Sequence, residues 1–172
     1  MRNNSSETNT GLIGFGPWPR KCNWSISNTT VLLEAVLLNG GRGDYILVAE
    51  NHDANFVIVG RHLANHGYRV MRALPGDTAA ELAAVNRFDL VLMDMEMPEI
   101  NGLVAARLIR QNELRSGGLK KPILAMTAKA EVGCRERCLD AGCTGFVPKP
   151  IRKHELMSAV SRTLFESRVR AL

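Results

Sequence analysis

The chain has 172 residues, of which 45% are hydrophobic and 23% charged, and its formal net charge is +5. This length supports one domain with a buried core plus an appendage, and the composition excludes a collagen, a disordered tail and a mini-protein. The best apolar run near the start, Val31 to Leu38, is far shorter than the roughly 18 residues of a membrane span. Residues 1–10 lack the pattern of a secretory signal. We therefore expect a cytoplasmic protein whose four cysteines are reduced thiols.

Residues 1–43 are predicted to form an irregular N-terminal extension. The segment is rich in Asn, Ser, Thr and Gly, and Gly40, Gly41 and Gly43 cluster just before the first strand pattern. A short amphipathic helix over residues 30–38 that docks on the domain is an alternative to a flexible tail. We place the regular domain at residues 44–172.

From Tyr45 onward, short apolar runs alternate with segments of helical period. The predicted strands are Tyr45–Ala49, Tyr68–Met71, Asp89–Met93, Pro122–Met126 and Thr144–Val147. The predicted helices are Asp53–His66, Asp77–Arg87, Asn101–Leu114, Lys129–Ala141 and Arg152 to about Arg168. Short, largely apolar strands that alternate strictly with helices are typical of a parallel sheet covered on both faces, with right-handed crossovers. The pattern therefore predicts a doubly wound α/β fold with five parallel strands.

Polar residues follow four of these strands, at the edge of the sheet where such folds bind ligands. They are Glu50 and Asn51 after the first strand, Asp94 at the end of the third, Thr127 after the fourth and Lys149 after the fifth. This set of side chains suits a phosphoryl group. Asp94 would be the nucleophile, nearby carboxylates would hold a divalent cation, and the hydroxyl and ammonium groups would hydrogen-bond the phosphoryl oxygens.

Four stretches carry a family resemblance: ILVAENHDAN (46–55), FDLVLMDMEMPEINGL (88–103), PILAMTA (122–128) and DAGCTGFVPKPI (140–151). Over residues 45 to about 168 the chain resembles the receiver domain of bacterial two-component response regulators. The resemblance implies a flavodoxin-like sheet with strand order 2-1-3-4-5. It also implies Mg²⁺ as cofactor, a histidine kinase or histidine phosphotransfer protein as phosphodonor, and signalling through contacts with an unidentified protein target.

The same resemblance implies a role for each matching residue. Asp94 corresponds to the phosphoacceptor, Thr127 to the switch hydroxyl, Lys149 to the phosphate-binding lysine and Phe146 to the aromatic switch residue. Glu96 occupies the position whose backbone carbonyl ligates the metal in the family, and Lys149–Pro150 matches a cis peptide bond, which an X-Pro pair adopts at a small energetic cost.

One position departs from the family pattern. Two adjacent acids usually follow the first strand, whereas this chain has Glu50 and then Asn51. The expected metal ligands are Glu50, Asn51, Asp94 and the Glu96 carbonyl, and we expect weak magnesium binding because an amide replaces a carboxylate. The chain is therefore either a phosphoacceptor or a degenerate pseudo-receiver, an interaction module that acts without phosphorylation.

A phosphohydrolase with an aspartyl-phosphate intermediate is a second rival interpretation. It requires a second catalytic acid two residues after Asp94, where Glu96 stands, but the Met97–Pro98 turn fits a receiver better. We therefore expect a signalling switch and not a turnover enzyme.

Two further groups of residues have a simple structural interpretation. Cys134, Cys138 and Cys143 are predicted to be buried thiols, because a zinc site needs four ligands and the sequence offers no fourth nearby. The basic residues of the last helix are interpreted as a solvated face, so we expect no DNA binding.

Overall fold

The computed structural model describes residues 43–74, 76–98, 100–128 and 133–170. Residues 1–42 of the predicted extension, with the alternative helix over 30–38, lie outside this part, as do residues 129–132 of the predicted fourth helix. The strands are β1 (Tyr45–Ala49), β2 (Arg69–Ala73), β3 (Leu90–Asp94), β4 (Ile123–Thr127) and β5 (Gly145–Pro148). The helices are α1 (Asp53–Ala64), α2 (Gly76–Val85), α3 (Gly102–Ser116), α4 (Cys134–Asp140) and α5 (Lys153–Arg170).

The five strands form one parallel sheet in the order β2-β1-β3-β4-β5, which confirms the predicted fold class. Strand order reverses between β1 and β3, the place where such sheets bind ligands. Ala49 pairs with Met93 across these two strands. The next residue of each chain segment, Glu50 and Asp94, therefore lies at the same level of the sheet.

Side chains alternate between two hydrophobic layers along each strand. Leu47 and Ala49 pack in the layer that contains α2, α3 and α4 residues. Ile46 and Val48 pack in the layer that contains α1 and α5 residues. Both sheet faces are thus covered, which explains why the strands are nearly continuous apolar runs. Among the helices of the described part, none is long and apolar enough to cross a membrane.

The observed element ends differ from the predicted ones for identifiable reasons. Strands β2 to β5 each begin one residue later and end one or two residues later than predicted, because polar residues such as Asp94 and Thr127 still pair through their backbone. Asn101 is the N-cap of α3 and not its first residue, since its side chain accepts a hydrogen bond from Val104 N at 3.1 Å. That helix extends to Ser116 and stops at Gly117, which has a left-handed φ of 63°.

The remaining helices also differ at their ends. Helix α1 ends at Ala64, two residues before the predicted end, and α2 and α5 shift by one or two residues at each end. The largest difference is in α4, which begins at Cys134 within the described residues, whereas the prediction began at Lys129. Gly133, with a φ of 87°, precedes this helix in a left-handed conformation that no helical residue adopts.

Candidate functional site

The Asp94 carboxylate lies buried at the carboxyl end of β3. Its Oδ1 accepts a hydrogen bond from Glu96 N at 3.0 Å. Its Oδ2 lies 2.8 Å from Lys149 Nζ as an ion pair and has no other hydrogen-bond partner among the described residues. One carboxylate oxygen is thus fixed by the backbone, and the other faces a cationic group.

Lys149 bridges the two buried carboxylates of the site. Its Nζ donates to Glu50 Oε2 at 3.1 Å in addition to the ion pair with Asp94. The Glu50 carboxylate also accepts hydrogen bonds from His52 N at 2.9 Å and from Asn55 Nδ2 at 3.3 Å. Burial lowers the pKa of Lys149, but the hydrogen bonds and charges of Asp94 and Glu50 outweigh burial and raise this pKa above its usual value. The ammonium therefore stays charged at neutral pH.

Thr127 lies at the end of β4, one residue beyond Met126, which pairs with Asp94. Its hydroxyl lies 3.6 Å from Cys134 Sγ at the start of α4, and its carbonyl accepts a hydrogen bond from Lys149 N at 2.8 Å. The Lys149–Pro150 peptide bond is cis. The end of β4 is therefore connected both to the lysine of the site and to α4.

Phe146 lies away from the carboxylates. It pairs with Ala125 in the middle of β4, its side chain is 42% exposed, and the Arg135 guanidinium lies 5.8 Å from its ring centre. The structure thus brings Glu50, Asp94 and Lys149 into contact and places Thr127 on the neighbouring strand end. It leaves Phe146 at the surface beside α4.

The oxygen atoms around Asp94 fit a hard divalent cation. Asn51 Oδ1 is buried and has no hydrogen-bond partner in the described part of the chain, and Asp94 Oδ2 is buried with the Lys149 ammonium beside it. Carboxylate and amide oxygens are the ligands that such cations prefer. The described residues contain no cluster of three His, Cys, Asp or Glu side chains suited to a metal. The Glu96 side chain is exposed, so its backbone is the part of this residue nearest the site.

Close packing behind Asp94 explains the glycine at the start of α3. A Cβ at Gly102 would lie 2.2 Å from the Asp94 carbonyl oxygen, so this position accepts only glycine without a backbone shift. Met93, Met95 and Met97 are buried and pack in the core layer of α2 and α3. The segment on both sides of Asp94 is therefore anchored by packing.

The cysteine prediction is confirmed, whereas one buried residue next to the site was not predicted. Cys134, Cys138 and Cys143 are buried free thiols. Arg72 on β2 is buried and donates hydrogen bonds to the backbone carbonyls of Glu50 and Asn51. The sequence did contain a signal for it, because Arg72 is a charged residue within the otherwise apolar strand sequence VMRA.

Comparison with known proteins assigns this site to a family. The family described as "Response regulator receiver domain" matches residues 46–161. The chain belongs to this family. As a receiver domain it is a module of two-component signal transduction, and the strand order of its sheet is the one expected of that family.

Relatives of this receiver domain are found in hybrid kinases and in response regulators. It is 35% identical over 122 residues to "Hybrid signal transduction histidine kinase M" of Dictyostelium discoideum, which covers 70% of this chain and 5% of the relative. It is 38% identical over 119 residues to "Response regulator MprA" of Mycobacterium sp. (strain KMS), which covers 69% of this chain and 50% of the relative. The chain therefore spans a small part of the hybrid kinase and about half of the regulator.

Solved structures of receiver domains superpose on this chain. The receiver domain of the sensor histidine kinase PA1611 from Pseudomonas aeruginosa PAO1, solved with a magnesium ion in its active site cleft, gives a TM-score of 0.64 at 35% identity. That match covers 71% of this chain and 98% of the other. The Saccharomyces cerevisiae receiver domain of Ssk1, solved in complex with the histidine phosphotransfer protein Ypd1, gives a TM-score of 0.68 at 25% identity and covers 75% of this chain and 92% of the other.

Proposed function

We propose that this receiver domain accepts a phosphoryl group on Asp94 from a histidine kinase or a histidine phosphotransfer protein. The observation that carries the proposal is the state of the Asp94 carboxylate. Its Oδ1 accepts a hydrogen bond from Glu96 N, and its Oδ2 is paired with the Lys149 ammonium at 2.8 Å. A carboxylate oxygen of this kind is a nucleophile beside a group that stabilises the charge of an incoming phosphoryl.

The transfer exchanges one bond to phosphorus for another. An Asp94 carboxylate oxygen forms the new P–O bond while the P–N bond of the phosphohistidine breaks, and the imidazole nitrogen leaves with the electron pair and takes up a proton. Lys149 then hydrogen-bonds a phosphoryl oxygen, and Thr127, at the end of the neighbouring strand, hydrogen-bonds another. A magnesium ion held by Glu50, Asn51, Asp94 and the Glu96 carbonyl would neutralise the negative charge of the phosphoryl oxygens.

Switching would follow from two contacts that α4 makes, one with Thr127 and one with Phe146. The Thr127 hydroxyl contacts Cys134, and the Phe146 ring lies beneath Arg135, the next residue of the same helix. A phosphoryl group that draws the Thr127 hydroxyl inward breaks the first contact and leaves space into which Phe146 can turn. The surface around α4 and β5 then changes, and this change biases a two-state equilibrium that a protein target reads. If amide NMR shifts on adding beryllofluoride, a phosphoryl mimic, stay confined to the loops around Asp94, this switch is wrong.

We further propose that the domain acts in the cytoplasm as a switch and not as a turnover enzyme, and that its output is protein contact and not DNA binding. Mass spectrometry of the intact chain tests the central step. The protein is incubated with magnesium and phosphoramidate, a small donor with the P–N bond of phosphohistidine. We expect a mass gain of one phosphoryl group, absent in Asp94→Asn.

A matched control uses the carboxylate of the residue that directly precedes the same strand. Asp89 accepts a hydrogen bond from Tyr45 N at 2.7 Å, and Asp89→Asn should be phosphorylated like the wild type. A phosphoryl gain that persists in Asp94→Asn would overturn the assignment of Asp94. No gain in the wild type would favour a pseudo-receiver, and release of phosphate over many turnovers would favour a phosphohydrolase.

A further inference from the structure

Arg72 carries a buried positive charge near the carboxyl end of β2. The residue is 6% exposed, and its guanidinium lies 4.7 Å from the ring centre of Phe56 on α1. A charge at such a position is costly unless every polar group around it is paired. Arg72 meets this condition with three polar partners. Nε donates to Glu50 O at 3.0 Å, Nη2 donates to Asn51 O at 3.2 Å, and Nη1 pairs with Asp53 Oδ1 at 2.7 Å.

All three partners belong to residues 50–53, which comprise the connection between β1 and α1 and the first residue of α1. Strand register explains why the Arg72 side chain contacts these residues. Arg72 pairs with Val48 in β1, so its long side chain extends past the end of that strand. Residues 50 and 51 leave the sheet at this point, so their carbonyls lack a strand neighbour. The guanidinium supplies that neighbour and fixes the direction in which the segment leaves the sheet.

The same segment carries two of the expected metal ligands. The Glu50 side chain has its own partners in His52, Asn55 and Lys149. Asn51 differs, because its Oδ1 is buried and has no hydrogen-bond partner in the described part of the chain. A hydrogen bond to its backbone carbonyl comes from Arg72. Asn51 is thus held at its backbone while its amide oxygen is left for a ligand.

We propose that Arg72 is a positioning residue for the divalent-cation site, an inference that rests on the proposed function. By holding the carbonyls of Glu50 and Asn51 it presets the Asn51 amide oxygen, which must bind a cation without the help of a full negative charge. Arg72 also pairs with the Asp53 carboxylate, whose side chain is 87% exposed, and this pairing offsets part of the positive charge beside the site.

The chain offers a matched control for a purely structural role. Arg110 on α3 has the same donor pattern, with Nε donating to Gly142 O at 2.9 Å, Nη2 donating to Lys121 O at 2.7 Å and Nη1 paired with Glu113 at 2.5 Å. Gly142 and Lys121 precede β5 and β4, so this arginine acts at the opposite end of the strands from Asp94. Loss of Arg110 should reduce stability without touching the cation site.

The test measures magnesium dissociation constants of the full chain by NMR titration, together with thermal unfolding. We expect Arg72→Met to raise the dissociation constant about tenfold, the usual lower size of the effect when a group that orients a metal ligand is lost. Arg72→Lys keeps the charge but loses the fork of donors, so we expect an intermediate increase. Arg110→Met should unfold at a lower temperature and keep the wild-type dissociation constant within about twofold.

Amide hydrogen exchange gives a second measurement that does not depend on magnesium. We expect residues 51–53 to exchange faster in Arg72→Met and to be unchanged in Arg110→Met. If Arg72→Met does not fold, Arg72→Lys decides the question by the same two measurements. A wild-type dissociation constant in the folded Arg72 variants would overturn the inference alone. Absence of magnesium binding by the wild-type chain would overturn the proposed metal site and the inference with it.

Discussion

Replacing Lys149 by Met should destabilise the domain strongly, because it removes the one ammonium that bridges two buried carboxylates in the described part of the chain. The Glu50 and Asp94 side chains are 0% and 1% exposed, and Lys149 is 13% exposed. Methionine keeps most of the apolar stem and removes the charge. The variant therefore tests the electrostatics of the site with little change in packing.

The contact distances set the size of the effect. At an effective dielectric constant of about 20, charges at 3.1 Å and 2.8 Å attract by about 5 and about 6 kcal/mol. The cost of burying the ammonium, which Lys149→Met no longer incurs, offsets a large part of this loss. Removing one partner of a buried pair costs about 3–5 kcal/mol of unfolding free energy. In a domain of this size that loss lowers the melting temperature by about 10–20 °C.

The raised pKa of Lys149 determines how the difference in unfolding free energy between wild type and Lys149→Met depends on pH. Its hydrogen bonds and ion pairs with Asp94 and Glu50 outweigh the effect of burial, so the folded state holds its proton more tightly than the unfolded state. The stabilisation is therefore fully present below the unfolded lysine pKa of about 10.4 and is lost as pH rises through the folded pKa. We expect a constant difference between wild type and Lys149→Met from pH 7 to 9, and a smaller difference above about pH 10.5.

Urea denaturation of both proteins measures the difference. Asp94→Asn in the Lys149→Met background is the control, because it removes one of the two unpaired carboxylates and should recover part of the lost stability. A Lys149→Met variant within about 1 kcal/mol of wild type at pH 7 would refute the reasoning, since the buried carboxylates would then not depend on the ammonium.

Three further predictions follow from the site, the thiols and the N-terminal segment. Asn51→Asp adds a full negative charge among the expected ligands, so it should tighten magnesium binding, measured by calorimetry, and speed phosphorylation, measured by intact mass. Equal magnesium affinities of the two proteins would show that the amide ligates as well as a carboxylate. Burial raises the pKa of Cys138 to about 11 and of Cys143 to about 12, so both should resist iodoacetamide at pH 7.5 until urea unfolds the chain, and rapid labelling of the native protein would contradict this. A fragment of residues 44–172 should unfold cooperatively near the melting temperature of the full chain, whereas loss of the transition would make residues 1–43 part of the folded domain.

Local sequence patterns were sufficient for the strands, the sheet and much of the candidate site. Tyr45–Ala49 was predicted with its observed ends, because a run of apolar residues bounded by charged ones reports burial on both faces. The convergence of Glu50, Asp94 and Lys149 followed from a rule about parallel sheets, in which the carboxyl ends of the strands share one edge. Such rules depend on backbone geometry, so they apply before any side-chain contact is known.

The ends of the helices and strands, and the side-chain contacts that support the site, were harder to predict from the sequence. Asn101 was assigned to the helix that it caps, because the sequence leaves open whether an Asn side chain turns back to the backbone. The roles of Arg72 and Arg110 were not predicted at all. The backbone carbonyls that they bind lie 11 to 32 residues away in the sequence. The residues next to an arginine in a strand or helix do not indicate such distant partners.

The sequence by itself determined the alternation of strands and helices, the burial of the sheet on both faces and the edge at which polar side chains collect. These properties depend on residue periodicity and on the handedness of the crossovers, which are local. Only the tertiary structure decided that Lys149 reaches Glu50 across 99 residues of chain, that Arg72 holds the segment after β1, and that Phe146 stays at the surface. Such contacts depend on strand register, where a shift of one residue turns every side chain to the other face of the sheet.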